Sequence, residues 1–515
     1  MSISREITTP FSSVDLLVEG SAIVNVIVRK GSEKSALASY EKTSGKDDLF
    51  NATTLETVVN NDKLSIRLAS PTFTSIVVFG LGNHLSLDLI VTLPLDLDNL
   101  SLFSNKSGKF TLHGINVRGS LDATATHGSI NIETVISAEN VALRSQDGKI
   151  NLQYNLIGSK SVSLQSVHGS IVGQSLSGDS ISVKSNDGKI DLQDVEKSKI
   201  IFFESVHGGI YAKRVGGEAV TIKSNDGKID LQEVNAKAVV LESVHGGIRS
   251  RSIVSDSVSI KANDGKIDVE SIASKTVALQ SVHGSIVASS ITGESISVKS
   301  NDGKIQVDTI PDAKVVVLDA THGSVKAGSI AAETITIKSH DGKISADQIR
   351  ALGRVDLKSL HGSIAVNQLT ASILNGQSDD GGINFSTVSA NNITLNSIHG
   401  SISGSYSNYT NLRANANDGS IKFSLAPNEY QSTSSLESQH GNVNATVTGF
   451  TGAFSFASTH GSVKVSGPDG PLKKGEKSVS GFIGEETEKN RSSVFHSKTV
   501  TGSVDVRFLP GFIEQ

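Results

Sequence analysis

The sequence predicts an all-β fold, a right-handed parallel β-solenoid (β-helix) of about nineteen coils with about 19–20 residues per coil. Three observations predict it. A frame of six residues, Ser-x-x-Gly-x-Ile, recurs along the chain, its glycines are 19 to 21 residues apart over most of the sequence, and apolar and polar residues alternate between frames. Helical patterns are nearly absent, which argues against a sheet built from βαβ units. The right hand follows from the strong bias of parallel crossovers.

The frame is clearest between Ser205 and Val234, which reads SVHGGIYAKRVGGEAVTIKSNDGKIDLQEV. Its glycine recurs at this spacing from Gly128 to Gly419, and then more loosely at Gly441 and Gly461. An apolar residue follows each glycine by two positions, and serine or alanine usually precedes it by three. A fixed period of this length indicates a repeat architecture.

Each repeat has the two-residue period of a β-strand. In VTIKSNDGKIDLQEV, Val220 and Ile222 are expected to face inward, and Ile229 and Leu231 continue the buried set after the turn. The glycine of NDG predicts a sharp corner, where a left-handed backbone would suit it. A single coil cannot bury its apolar face alone, so we expect the coils to stack with continuous ladders of Ile, Val and Leu.

Two versions of the frame alternate, one with His and one with Asp before the glycine. Stacked residues lie about 4.8 Å apart, where two like charges repel by roughly 0.9 kcal/mol even in water. The sequence therefore predicts a surface ladder of unlike groups. Its candidate residues are His168, Asp187, His207, Asp226, His245, Asp264, His283 and Asp302.

The sign of charge also alternates four residues before the glycine, in Lys184, Glu204, Lys223, Glu242 and Lys261. We interpret the two-coil repeat as an arrangement that keeps like charges two coils apart. The same arrangement disfavours a slip of register by one coil.

The ends of the chain differ from its middle, since stacked arrays need caps. Residues 1–100 have irregular spacing and are predicted to form a β-rich N-terminal capping segment. Residues 101–465 are the solenoid repeats. Residues 466–515 are predicted to form a polar loop and a C-terminal capping strand that carries a last copy of the frame at Gly502.

The repeated frame, with IVTLPLDLDNLSLFSNKSGKF at Ile90 to Phe110 before it, resembles the putative-adhesin domain family, whose members are autotransporter-adhesin-like β-solenoids. The resemblance extends from about Val14 to Phe508. It implies a structural or adhesive protein, and many members are predicted to act at microbial surfaces. This sequence departs from that pattern because it shows no signal peptide, lipid anchor or membrane segment. The location is therefore unknown, with an intracellular site favoured over the cell surface.

Composition argues against several partners. The net charge of −5, the pI near 6.3 and the absence of Trp disfavour nucleic-acid binding. The chain has no cysteine, which excludes disulfides and thiolate sites. Its longest apolar region, Phe73 to Leu95, is interrupted by Asn83, His84 and Asp88 and predicts two strands and a turn. We therefore expect a soluble protein without membrane insertion.

No catalytic, cofactor-binding or metal site is predicted. The His and Asp side chains could bind metal, but a column is linear whereas a metal site needs converging ligands. An enzyme would need a singular group of carboxylates or bases, and no position is seen to interrupt the repeat in this way. The sequence thus predicts a non-catalytic, adhesin-like or structural rod that presents a long repetitive surface to a protein, to a glycan or to itself. A polysaccharide lyase or hydrolase and an intracellular scaffold are the alternatives.

Overall fold

The computed structural model describes residues 2–31, 35–72, 85–93, 96–105, 108–428, 431–467, 472–484 and 492–510 of the chain. It confirms the all-β parallel solenoid, with about 17 turns where the sequence predicts about nineteen. Antiparallel strand pairs, described below, take up part of the chain near both termini. The chain forms two compact units, residues 1–256 and residues 257–515. The predicted boundaries at residues 100 and 465 remain predictions.

The first unit starts with irregular strands and one short helix. These elements are β1 Ser2–Ile7, β2 Ser13–Glu19, β3 Ile23–Lys30, β4 Ala36–Gly45, α1 Asp47–Asn51, β5 Thr54–Asn60, β6 Lys63–Ala69 and β7 Leu85–Leu93. Within the apolar region from Phe73 to Leu95, residues 85–93 form β7, whereas residues 73–84, 94 and 95 lie outside the described residues.

The first unit continues with the regular coils. Their strands are β8 Asp96–Ser104, β9 Lys109–His113, β10 Asn116–Ala125, β11 Ser129–Ile132, β12 Ile136–Ser145, β13 Ile150–Ser166, β14 Ile171–Ser177, β15 Ser180–Ser185, β16 Ile190–Ser205, β17 Ile210–Ser224 and β18 Ile229–Ser243. The next strand, β19 Ile248–Ala262, begins in this unit and ends in the second.

Successive coils pair in parallel with the frame in register. Ile190 lies opposite Ile210, which lies opposite Ile229, and all three side chains are buried. Val220 and Ile222 are buried as predicted. The register shifts at bulges such as the one between Val195 and Ser198, where the long strand β16 bends. The inward columns of Ile, Val and Leu are the core of this unit.

The Ser-x-x-Gly part of the frame has a specific structural reason. The buried Ser145 hydroxyl donates to the carbonyl of Gly128 on the preceding coil (2.8 Å) and accepts the N–H of Gly148 (2.9 Å). A Cβ on Gly148 would lie 2.0 Å from that same carbonyl oxygen. The expectation of a left-handed backbone at the NDG glycine is wrong at Gly188 and Gly227, where φ lies outside that region. Glycine is needed there because adjacent coils approach too closely for any side chain.

The N-terminal end of the first unit is closed by an insertion. Strand β2 pairs in parallel with both β6 and β8, so that Val14 lies opposite Leu64 on one side and Leu100 on the other. Strand β3 lies likewise between β7 and β9. Strands β1, β4 and β5 pair antiparallel to their neighbours, and the buried Tyr40 hydroxyl donates to the carbonyl of Thr53 (2.8 Å). The segment before the first regular coil is thus β-rich, and its first parallel strands lie inside the stack.

The second unit repeats the same coils. Its strands are β20 Ile267–Ser281, β21 Ile286–Thr292, β22 Ser295–Ser300, β23 Ile305–Ile310, β24 Val315–Ala320, β25 Val325–Ser339, β26 Ile344–Ser359, β27 Ile364–Ser378, β28 Ile383–Ser397, β29 Ile402–Ser407, β30 Asn411–Ala416, β31 Ile421–Ala426, β32 Thr433–Ser438, β33 Val443–Thr448, β34 Gly452–Ser458, β35 Val463–Ser466, β36 Leu472–Lys474, β37 Ser478–Ile483, β38 Val494–Thr499 and β39 Val504–Leu509.

The C-terminal end of the second unit is also closed by an insertion. Strand β38 pairs with both β32 and β34, and β39 pairs with both β33 and β35, so the frame at Gly502 lies between two coils. Strand β37 pairs antiparallel with β34. The buried rings of Phe456 in β34 and Phe495 in β38 lie with their centroids 5.1 Å apart. Of the segment predicted as a polar loop and capping strand, residues 468–471, 485–491 and 511–515 lie outside the described residues.

Within the described part of the chain there is one helix, α1, and its five residues are too few to cross a membrane.

Candidate functional surface

The predicted ladder residues lie at the turns that follow the coil strands. Their backbones are held by hydrogen bonds to the preceding turn, as when the N–H of Asp187 donates to the carbonyl of Val167 (2.8 Å). The side chains of His168 and Asp187 are 55% and 44% exposed. The turn therefore fixes the backbone and directs imidazole and carboxylate groups to solvent.

Most of the candidate side chains form His–Asp pairs, which we call the His–Asp ladder. Nδ1 of His168 lies 2.5 Å from Oδ2 of Asp187, and His207 makes the same contact with Asp226 at 2.5 Å. In the second unit His283 is paired with Asp302. The remaining two candidates are exposed at the same turn position, His245 in the first unit and Asp264 in the second. Further pairs of the same kind are His127–Asp147, His322–Asp341, His361–Asp380 and His399–Asp418.

The ladder is a series of pairs and not a continuous chain. Nε2 of His168 lies 3.9 Å from Oδ1 of Asp147, and Nε2 of His207 lies 4.0 Å from Oδ1 of Asp187. Asp147 and Asp187 are thus each hydrogen-bonded to the histidine of the preceding coil and lie beyond hydrogen-bond distance of the histidine of the following coil.

The Lys–Glu column, four residues before the frame glycine, is also paired. Nζ of Lys184 lies 2.9 Å from Oε2 of Glu204, and Lys223 lies 2.8 Å from Glu242. The hydrogen bond that Lys223 donates to Glu242 raises the pKa of Lys223 above its ordinary value. The side chains are 37–47% exposed, so each pair contributes under about 1 kcal/mol to stability.

A second alternating column was missed by the sequence analysis. It lies 10 to 12 residues after the frame glycine, in the part of the coil that holds the bulge of β16, and we call it the bulge column. Its ion pairs are Lys160–Glu139 (2.6 Å), Lys199–Asp179 (2.8 Å), Lys237–Glu218 (3.0 Å) and, in the second unit, Lys314–Glu294 (2.6 Å). The alternation of sign is visible in the sequence, but its distance from the glycine varies because the bulges differ in length.

The columns bridge successive junctions between coils in turn. If a coil runs from the apolar residue after one glycine to the next glycine, His168–Asp187 joins coil 150–169 to coil 171–188. The pairs Lys184–Glu204 and Asp179–Lys199 then join coil 171–188 to coil 190–208. The next junction again has a His–Asp pair, His207–Asp226. In this stretch every junction carries at least one pair of unlike groups, although each type of pair occurs only at alternate junctions.

One coil of the second unit departs from this pattern, and the sequence analysis overlooked it. His340 occupies the position that is Asn in most Asp-containing frames, and its Nδ1 hydrogen-bonds to Oδ1 of Asp341. His322 bonds to the other oxygen of Asp341. Together these hydrogen bonds lower the pKa of Asp341 below its usual range, that from His322 having the larger effect. His340 is thus a position at which the repeat is interrupted, and it was not among the predicted candidate residues.

The repeats match a known protein family. The sequence matches the family described as Toastrack DUF4097 at residues 20–217, 174–270, 213–329, 251–366 and 331–507. The chain belongs to this family. The overlapping matches show that its Toastrack repeats occupy almost the whole sequence. The family resemblance seen in the repeated frame is thereby confirmed.

Solved structures that are similar to this Toastrack chain include three bacterial proteins. A putative cell adhesion protein from Clostridium sporogenes is 6% identical, with 99% of this chain and 100% of that chain covered and a TM-score of 0.14. A putative adhesin from Bacteroides fragilis is 16% identical (56% and 97% covered, TM-score 0.18). A putative adhesin from Parabacteroides merdae is 8% identical (71% and 95% covered, TM-score 0.15). Identities and TM-scores this low carry no information on function. No curated protein matches the sequence.

Proposed function

We propose that this Toastrack chain is a non-catalytic binding protein that presents its His–Asp ladder to a glycan or protein partner, or to another copy of itself. The observation that supports this proposal most is the repetition of one exposed pair, with the same contact between Nδ1 and Oδ2, at His168, His207 and His283. A partner that spans several coils would meet the same chemical group again and again.

Repetition favours binding by many weak contacts. Each exposed His–Asp pair offers an imidazole edge and a carboxylate, and one such group gives little affinity by itself. Several identical groups on one surface raise the effective concentration of each contact once the first has formed. A partner with a regular repeat, such as a linear polysaccharide or a second solenoid, would gain most from this arrangement.

Repetition also argues against an enzyme. General acid–base chemistry needs groups whose environments differ, so that one can donate a proton and another can accept it. The pairs His168–Asp187 and His207–Asp226 have the same geometry and nearly the same exposure. A polysaccharide lyase or hydrolase therefore has less support than a binding protein.

The test changes one, two and then three ladder pairs of the first unit to asparagine, at His168 with Asp187, His207 with Asp226 and His127 with Asp147. Asparagine suits a ladder, because Asn411 already donates to Asn392 on the adjacent coil (2.8 Å). Binding to a panel of soluble polysaccharides is measured by affinity electrophoresis, and self-association by sedimentation. The matched control changes the bulge-column pair Asp179 with Lys199 to Asn and Gln.

We expect wild-type protein to bind a polymer, or to self-associate, without releasing new reducing ends. Binding or self-association should weaken step by step as more ladder pairs are changed. The control should bind or self-associate as wild type does. Release of products from any polysaccharide would contradict the non-catalytic function. Loss of all binding with a single pair would point to one singular site and would contradict the repetitive surface.

A further inference from the structure

We propose that His340, Asp341 and His361, in the second unit, form a binding site for a divalent transition-metal ion such as Zn²⁺. One potential ligand atom from each side chain lies within 4.8 Å of those of the other two. Two imidazoles and a carboxylate are a donor set that suits Zn²⁺, Ni²⁺, Co²⁺ and Cu²⁺. This inference is independent of the proposed binding function.

The fold brings the three residues together on adjacent turns. His340 and Asp341 follow β25, and His361 follows β26. The two strands pair in register to their ends, with Ser339 opposite Ser359. The rings of His340 and His361 consequently lie with their centroids 5.3 Å apart. Ligands from two neighbouring coils converge here, whereas the regular ladder supplies one such group from each coil.

His340 makes this coil different without changing the turn. In the equivalent frame two coils earlier, Nδ2 of Asn301 donates to Oδ1 of Asp302 (2.8 Å). His340 uses Nδ1 for the same contact with Oδ1 of Asp341. The substitution of His for Asn in the frame therefore adds an imidazole while keeping the local hydrogen bond.

Neighbouring carboxylates support metal binding by His361. Oδ2 of Asp380 is hydrogen-bonded to Nδ1 of His361, which leaves Nε2 as the nitrogen that could coordinate an ion. A carboxylate on the other ring nitrogen orients a ligating histidine and makes it a better donor. Asp379 precedes Asp380 in the same turn and adds a second carboxylate to it. The cluster thus has an outer layer of negative charge that favours a cation.

The site is open to solvent. The side chains of His340 and Asp341 are 47% and 38% exposed, and that of His361 is 55% exposed. An ion can therefore reach the three ligands directly, and water can complete a four-coordinate shell.

The test measures Zn²⁺ binding to the full chain, without a polyhistidine tag, by isothermal titration calorimetry at neutral pH. Wild type is expected to bind one Zn²⁺ ion per chain tightly and any further Zn²⁺ ions more weakly. The variant His340→Asn, which restores the residue found in the regular frame, should bind it at least tenfold more weakly. Its unfolding in the presence of EDTA should match that of wild type, because asparagine keeps the turn hydrogen bond.

A gain-of-function variant provides the matched control. Asn301, Asp302 and His322 occupy the positions of His340, Asp341 and His361 two coils earlier. Asn301→His should therefore create a second site and raise the stoichiometry of tight binding from one to two. If His340→Asn binds Zn²⁺ as tightly as wild type, the ion is held by other surface histidines and the proposal is overturned. A stoichiometry that stays at one in Asn301→His would also contradict it.

Discussion

Nδ1 of His168 lies 2.5 Å from Oδ2 of Asp187, across one junction between adjacent coils. At the following junction the same carboxylate is 4.0 Å from His207, and the pair Lys184–Glu204 provides the contact instead. The alternating sequence thus gives neighbouring junctions different pairs of unlike groups. A uniform repeat would place identical charges about 4.8 Å apart along the whole stack.

The asymmetry of the ladder predicts unequal coupling on the two sides of Asp187. Double-mutant cycles with asparagine should give a coupling free energy of up to about 1 kcal/mol for His168 with Asp187. The cycle for Asp187 with His207 should give a value near zero, since 4.0 Å is too long for a hydrogen bond. Denaturant unfolding at neutral pH measures both cycles. Equal coupling on the two sides would show that the ladder is continuous.

The close approach of coils predicts that two neighbouring glycines differ sharply. A Cβ on Gly208 would lie 2.1 Å from the carbonyl oxygen of Gly188, whereas a Cβ on Gly209 would meet its nearest atom, the carbonyl oxygen of Lys228, at 3.3 Å. Gly208→Ala should therefore destabilise the protein by several kcal/mol, in the range of overpacked cores or above. Gly209→Ala should have a small effect, and Ser170 already occupies the equivalent position in another coil. Similar midpoints of urea unfolding for the two variants would contradict the role assigned to the frame glycine.

The inward column predicts a large penalty for a buried charge. Ile229 is fully buried, so Ile229→Asp should place an unpaired carboxylate in the core and cost several kcal/mol. Asn235→Asp places the same group at an exposed position of the same strand and serves as the control. Thermal unfolding at neutral pH compares them. A melting temperature for Ile229→Asp close to that of the control would mean that the column does not face the core.

The ion pair of Asp194 with Arg214 predicts a pH dependence. Nε of Arg214 lies 2.6 Å from Oδ1 of Asp194, and this hydrogen bond lowers the pKa of Asp194 below its ordinary value. A carboxyl group with a lowered pKa in the folded state stabilises the fold above its unfolded pKa, which is about 3.9. That contribution is lost as the pH falls through the folded pKa.

Wild type should therefore lose more stability than Arg214→Gln when unfolding is compared at pH 6 and at pH 2. The difference between the two proteins should lie in this acidic range. The control Lys149→Gln removes an exposed charge that does not act on the pKa of Asp194, so it should behave as wild type. A constant difference between wild type and Arg214→Gln at all pH values would show that the pair does not shift the pKa of Asp194.

Much of the fold could be predicted from local sequence, because parallel coils repeat their pattern at a fixed period. The inward column of Ile190, Ile210 and Ile229 follows directly from that period. The insertion of β2 between β6 and β8 could not be predicted, since it joins Val14 to Leu64 and Leu100 without any repeated frame. Counting repeats therefore describes the middle of the chain but not its ends, where strands are inserted between others and pair antiparallel.

The candidate surface was predictable only in part. The His–Asp ladder keeps a constant distance from the glycine, so it could be read as a column. The bulge column of Asp179 and Lys199 could not, because bulges of unequal length change its spacing. The sequence shows that His340 replaces the Asn found before the aspartate in most frames. That His340 lies close to His361 depends on the register between β25 and β26.

The most direct test of the central claim, that alternation exists to pair unlike charges across each junction, is denaturant unfolding of charge-reversal variants at low salt. Glu204 lies opposite Lys184 on one side and Lys223 on the other. Glu204→Lys should therefore lower the free energy of unfolding by about one to a few kcal/mol, and about 0.1 M salt should recover part of the loss. A second variant reverses all five charges of the column, from Lys184 to Lys261. The next positions of the column on either side are the uncharged Gln165 and Gln280, so this variant restores alternation and should have a stability close to that of wild type. Equal stability of Glu204→Lys and wild type would contradict the claim. A variant with all five charges reversed that is no more stable than Glu204→Lys would contradict it too.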